Sequence, residues 1–302
     1  MYFCTMWHCK LPFTLKNITT MKRTNLLLLL VATLFLFSCE KSIEEPARLL
    51  LAEAKELYAG NDYNSARAII DSISVAYPKA YKTRREAEVL RREVMLKEKQ
   101  RDVEYFTSMC EMLSERRDSL VTEFVFNKDA QYQDMGYYTV PSQALALNPF
   151  NSFLRASVRE DGDAYLASYY RGAKIAHKRL KVSSGDSFVA CENPFVSRSY
   201  WYLGVYNERR EYRYGADDGV MDFIASATDA VKVEIFGEQG KHEYMLRAED
   251  IDAIKRVIEL SNLLKMVEEA RGMRDEAQRS LDFLLKSQQR SESVHQNGTV
   301  HN

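Results

Sequence analysis

The sequence predicts an α+β protein: an N-terminal helical hairpin, an antiparallel coiled-coil stalk, and an antiparallel β-sandwich or open barrel inserted between the two stalk helices. Three observations lead there. Residues 79–127 contain neither proline nor glycine, are dense in Arg, Lys and Glu, and carry apolar residues at alternating steps of four and three. Residues 128–247 change character: short runs of alternating polarity, rich in tyrosine, are separated by Gly- and Asp-bearing turns. Heptad stepping then resumes over 248–287, so the order is helix, strands, helix.

The N-terminal hairpin occupies 46–78. Leu49, Leu50, Ala54, Leu57 and Tyr58 form an apolar stripe, Gly60-Asn61-Asp62 breaks it, and Ala66, Ile69, Ile70 and Ile73 form a second stripe that Pro78 stops. Tyr63, Ala66, Ile70 and Pro78, with Ala54 in the preceding helix, resemble a single tetratricopeptide repeat. No second copy follows. Such repeats need about three copies to build a stable array, so a hairpin packing on its neighbour is expected rather than a peptide-binding groove.

In the long helix, Phe106, Cys110, Leu113, Leu120 and Phe124 form a heptad seam interrupted by Arg117, and Ala87, Leu90 and Val94 form an earlier one. At 1.5 Å per residue the helix reaches about 70 Å. Its partner is expected in Ala253, Val257, Leu260, Leu264, Val267, Ala277, Leu281 and Leu284, running to about Lys286. The same seams also allow self-association, because a heptad does not name its partner. Between them, Leu154–Glu160, a turn at Asp161-Gly162-Asp163 and Ala164–Arg171 read as a hairpin. Arg179–Ser183 and Ser187–Cys191 read as a second, and Val231–Phe236 with Lys241–Leu246 as a last. Tyr200–Tyr206 and Glu211–Tyr214 read as single strands, and Val220–Ser226 as a short helix. Residues 288–302 are polar and aperiodic and are expected to be a disordered tail.

Upstream of all this stands Met21–Cys39. Lys22 and Arg23 precede an apolar run, Leu26–Phe37, of 12 residues with Thr33 within it. That is an export signal; a spanning helix needs about 20 residues. Residues 1–20 precede a complete signal and read as an upstream start called too early. Leu36-Phe37-Ser38-Cys39 resembles a bacterial lipobox, with Phe37 bulkier than the usual residue. The resemblance implies cleavage of 21–38, a diacylglyceryl group on Cys39 and acylation of its new amino group. Two or three acyl chains anchor far more firmly than one. Residues 39–45 form a short acidic tether. Signal, hairpin, long charged helix, Tyr-rich β-region and closing helix together resemble Bacteroidota lipoproteins, a resemblance that carries no activity with it. It implies an outer-membrane location, with the periplasmic or surface face left open.

Charge excludes one broad class. Acids number 43 and bases 42, so no bulk attraction to nucleic acid exists. Of five cysteines, Cys110 and Cys191 lie in the mature chain away from the anchor; a disulfide and two free buried thiols are both open. Cys4, His8 and Cys9 resemble metal ligands only in isolation, since their segment precedes the signal. His177 and His242 stand alone, His295 and His301 fall in the tail, and no metal, nucleophile-elbow or phosphate-loop pattern occurs. No catalytic residue, metal site or cofactor is expected, and the lipid-attachment residue is Cys39.

Weaker candidates remain. Glu268-Glu269 reads as a solvated helix face. Arg209-Arg210 beside Tyr212 and Tyr214 could meet a polyanion or a sugar, against a plain charged loop beside a strand. Tyr165, Tyr169, Tyr200, Trp201 and Tyr202 could offer a glycan platform or fill a core, since half of a strand's side chains point inward. Asp71-Ser72-Ile73 and Asp118-Ser119-Leu120 resemble a Bacteroidota O-glycosylation signal. The expectation is a non-enzymatic, lipid-anchored envelope protein meeting an envelope protein or cell-wall partner. A glycan-binding accessory lipoprotein and a hydrolase with an unrecognised site are the alternatives.

Overall fold

The computed structural model describes residues 43–145, 148 and 150–298, and the side chains among them outside 291–298. Among the described residues are five α-helices and two antiparallel sheets, of six and four strands, neither closed into a barrel. The chain divides into two compact units. One holds the residues up to Gln100 together with those from Leu281; the other is Arg101–Ser280.

In the first unit, helix α1 (43–59) and helix α2 (Tyr63–Ala76) are joined by a turn in which Asn61 takes a left-handed φ of 63°, a conformation Asn tolerates. The Asp62 carboxylate accepts the Ser65 N–H at 3.1 Å and caps α2. Ala47, Leu51 and Ala54 of α1, Tyr63, Ala66, Ile70 and Ile73 of α2, and Ala87, Leu90 and Val94 of helix α3 (Tyr81–Val121) form one core. The earlier seam of the long helix therefore serves the hairpin. Small alanines at the contacts let the helices approach closely. Arg67 grips the largely buried Glu98 with two bonds of 3.2 and 3.0 Å, the paired form in which a buried carboxylate is stable.

In the second unit the chain continues through β1 (Val125–Asn127), β2 (Tyr137–Thr139), a 3-10 turn (Pro141–Gln143), β3 (Phe153–Arg159), β4 (Ala164–Gly172), β5 (His177–Ser184), β6 (Ser187–Cys191), β7 (Val196–Tyr202), β8 (Val205–Arg213), α4 (Val220–Ser226), β9 (Lys232–Gly237), β10 (Gly240–Met245) and α5 (Ala248–Gly298). The six-stranded sheet has the order β1-β2-β3-β4-β8-β7 and the four-stranded sheet β10-β9-β5-β6. One core draws on both sheets and on helices: Leu154, Leu166 and Tyr212, Leu180 and Val233, Met221 and Ile224 of α4, and Ile254, Val257 and Leu260 of α5. Cys110 and Leu113 of α3 pack with Leu263, Val267 and Ala270 of α5. Arg116 meets Glu259 at 2.8 Å and Glu123 meets Arg256, so residue numbers rise on one helix as they fall on the other. Gly162 takes φ 85° at the β3–β4 turn, and its carbonyl accepts the Ser261 hydroxyl at 2.6 Å, seating the turn on α5.

Several expectations need correction. The long helix ends at Val121, and Val125–Asn127 is a strand pairing with Tyr137–Thr139. The amides of Thr122, Glu123 and Phe124 reach carbonyls three residues back, tightening the last turn, and Phe124 enters the core. Tyr200–Tyr206 is not one strand: the chain reverses at Leu203-Gly204, and β8 runs unbroken from Val205 to Arg213. The last helix continues past Lys286 to Gly298, over 288–298 of the stretch expected to be a disordered tail; no proline interrupts it. Cys110 and Cys191 are both free and buried, in different clusters. Cys39 and the whole signal lie outside the described residues, and so do Cys4, His8, Cys9 and His301. Among the described residues no helix is long and apolar enough to cross a membrane.

Candidate ligand site on the six-stranded sheet

Strand alternation builds the site. Leu154, Ala156 and Val158 of β3 face the main core, so Phe153, Arg155, Ser157 and Arg159 face the opposite side. The register across β3, β4 and β8 then sets three rows: Phe153–Tyr169–Arg209, Arg155–Ala167–Glu211 and Ser157–Tyr165–Arg213. Ala167 and Ser157 are small, and large side chains surround them. A recess of about 340 Å³ results, walled by Tyr165, Tyr169, Arg209 and Glu211, by Tyr137 of β2, and by Phe195 ahead of β7.

Its chemistry is cationic and aromatic. Three guanidinium groups, Arg155, Arg159 and Arg209, line it against one carboxylate, Glu211. Arg159 is paired with Asp161 and Arg209 with Glu211. Arg155 differs. It is only 9 % exposed, yet it makes no hydrogen bond or ion pair among the described residues, and its Nε is buried without a partner. Its close companion is the Tyr137 ring, 5.8 Å from the guanidinium carbon. Tyr169 is fixed by stacking on Phe153, centroids 4.9 Å apart and planes 7° from parallel, with Arg209 at 5.4 Å over its ring. Buried charges are ordinarily paired, so Arg155 stands out.

The edge of the strand that carries Arg155 is completed by a side chain. β2 reaches β3 only at Val158 and Arg159. Beyond that, the buried Gln143 amide takes over: its Oε1 accepts the Ala156 N–H at 2.9 Å, and its Nε2 donates to Leu154 O at 3.1 Å and to Asp250 at 3.3 Å. Asp250 is held in turn by Arg247.

The candidate residues singled out by the amino-acid pattern separate in the fold. Tyr165, Tyr169 and Arg209 come together in the recess. Arg210 points the other way and donates to the carbonyls of His177 and Arg198. Tyr212 fills the core, and Tyr214 donates to Asp222 at 2.8 Å. Tyr200, Trp201 and Tyr202 lie exposed on edge strand β7; consecutive residues face opposite sides, so they do not form one platform. Glu268 pairs with Arg271 one turn on, a solvated helix face. Ser72 and Ser119 are exposed on helices. Arg155, Tyr137 and Phe195 were missed. The alternation of 153, 155, 157 and 159 would have placed Arg155 beside Phe153, but its row with Ala167 and Glu211 requires the register.

His177 is buried, both ring nitrogens lack partners, and burial with the nearby Arg210 charge holds its pKa down to about 3. Beside it the buried Glu208 carboxylate accepts the amides of Ile175 and Ala176, each at 2.9 Å, and of His177 at 2.5 Å. This closes the start of β5 and is a structural device. A second recess of about 360 Å³ lies between Phe150, Ser152, Arg171, His242, Tyr244 and Arg247; burial lowers the His242 pKa and raises that of Tyr244. Among the described residues no three His, Cys, Asp or Glu side chains are gathered to hold a metal ion. Comparison with protein-family models, curated proteins and solved structures found no match for the chain.

Proposed function

We propose that this chain is a lipoprotein, anchored in the outer membrane by acyl chains on Cys39, and that its role is non-enzymatic. It presents a β-rich region to an envelope protein or cell-wall partner. The observation that carries the reading is the order Lys22-Arg23, apolar 26–37, Cys39, with helix α1 beginning at residue 43, inside the stretch 39–45 expected to be a tether. The antiparallel packing of α3 on α5 supports a stalk, and the single core drawn from both sheets supports a sandwich-like β-region. Crosslinking in intact cells, followed by pull-down and surface-protease accessibility on the same sample, tests the role. A defined envelope protein or wall fragment recovered with the wild type, and lost when Cys39→Ala unmoors it, is expected; recovery of nothing above an unanchored control would overturn it.

A second reading, glycan binding, is favoured by the recess itself. Tyr165, Tyr169 and Phe195 wall a concavity of sugar size, and aromatic faces in a concave site with a few polar groups are the usual make-up of a small-ligand pocket.

A further inference from the structure

We infer that the recess on the six-stranded sheet binds an acidic sugar, with the ligand's carboxylate on Arg155 and its ring against the aromatic wall. This deepens the glycan-binding reading and rests on it.

A buried guanidinium with five N–H donors is costly to leave without acceptors. Arg155 is nine-tenths buried, has no acceptor among the described residues, and lines an open recess. The neighbouring arginines do not share its condition, since Asp161 and Glu211 neutralise Arg159 and Arg209. Glu211 does not relieve Arg155 either: it lies two strands away in the same row, with Ala167 between. Ala167 is the small residue between them in that row, so an acceptor for Arg155 has room above it. A planar carboxylate matches the guanidinium fork in two parallel bonds.

The rest of the recess describes the remainder of the ligand. Tyr165 and Phe195 have ring centroids 5.9 Å apart and tilted by 42°, an aromatic corner rather than a slot. Tyr169 is locked by its stack on Phe153. Such faces take the C–H side of a sugar ring. Ser157 and Glu211 supply a hydroxyl and a carboxylate for sugar hydroxyls. The volume suits one monosaccharide unit, so a terminal or internal uronic-acid residue fits.

The test uses the purified full chain. D-glucuronate, neutral D-glucose and inorganic phosphate are titrated by calorimetry against wild type, Arg155→Met and Ala167→Leu. Wild type is expected to bind glucuronate at least about tenfold more tightly than glucose, the scale of a charged hydrogen-bonded pair, and more tightly than phosphate. Both variants are expected to lose that binding. Arg155→Met should also melt no lower than wild type without ligand, because it removes an unpaired buried charge; a residue with a purely structural role would melt lower. Ala167→Leu fills the floor and leaves Arg155 in place, so it decides the matter if Arg155→Met fails to fold. Equal binding of glucose and glucuronate, insensitive to Arg155, would overturn the inference and leave the glycan reading standing. Phosphate bound in preference to glucuronate would overturn the sugar-acid assignment. No binding of any of the three would remove both.

Discussion

Replacing His177 by Phe should make the fold markedly less sensitive to acid. The imidazole is 2 % exposed, neither ring nitrogen has a partner, and its pKa in the fold is about 3 against an ordinary 6.5. Burial is the larger cause and the Arg210 guanidinium the second. The unfolded chain therefore binds a proton that the native state refuses, so this group's contribution is complete above the unfolded pKa and fades as pH falls toward 3. With those two values, the native state loses roughly 1 kcal/mol at pH 5.5 and roughly 3 kcal/mol at pH 4.5 from this side chain alone. Urea unfolding of wild type and His177→Phe at pH 7.0, 5.5 and 4.5 measures it. The two should lie close together at pH 7, and the variant should gain on wild type by about 2 kcal/mol or more by pH 4.5. Parallel pH dependence of the two proteins would refute the reasoning, because it would mean that the native imidazole titrates normally.

Three further perturbations follow from the same geometry. Gln143→Ala removes the amide that completes the edge of β3 and should destabilise by about 2–4 kcal/mol in urea unfolding, since the Ala156 N–H and the Leu154 carbonyl are left buried without partners. Gly237→Ala should lower the melting temperature, at a cost of about 1–3 kcal/mol, because a Cβ there would stand 2.1 Å from the Ile175 carbonyl oxygen. Below pH 4.5 the Glu234 carboxylate, held down to about 2 by Lys241 and Lys181, adds its own acid sensitivity. Its depressed pKa means its stabilisation is complete at neutral pH and is lost as pH falls from 4.5 toward 2, so Glu234→Gln should melt lower than wild type at neutral pH, flatten that part of a thermal-melt profile and converge with wild type as pH approaches 2.

What the sequence revealed was what depends on neighbours along the chain. The β3–β4 hairpin was legible because Leu154–Glu160 and Ala164–Arg171 alternate around Asp161-Gly162-Asp163, and the helix Val220–Ser226 emerged with the bounds expected of it. β1 and β2 escaped notice because three-residue strands show no period; Val125 and Phe126 fell inside the bounds expected of the long helix, just past the last seam residue, Phe124. The reversal at Leu203-Gly204 was hidden inside an aromatic run. The candidate site was half visible: Tyr165, Tyr169 and Arg209 drew attention as residue types, whereas the recess between them exists because register sets Ala167 between Arg155 and Glu211. An unpaired buried arginine is a tertiary fact, and no local pattern announces it.

The lipid anchor is the central claim, and the mature amino terminus tests it most directly. Protein taken from the membrane fraction of cells making the full chain should give, by mass spectrometry, an N-terminal peptide beginning at Cys39 and carrying acyl chains. A mature chain beginning at any other residue, or at an unacylated Cys39, would contradict it.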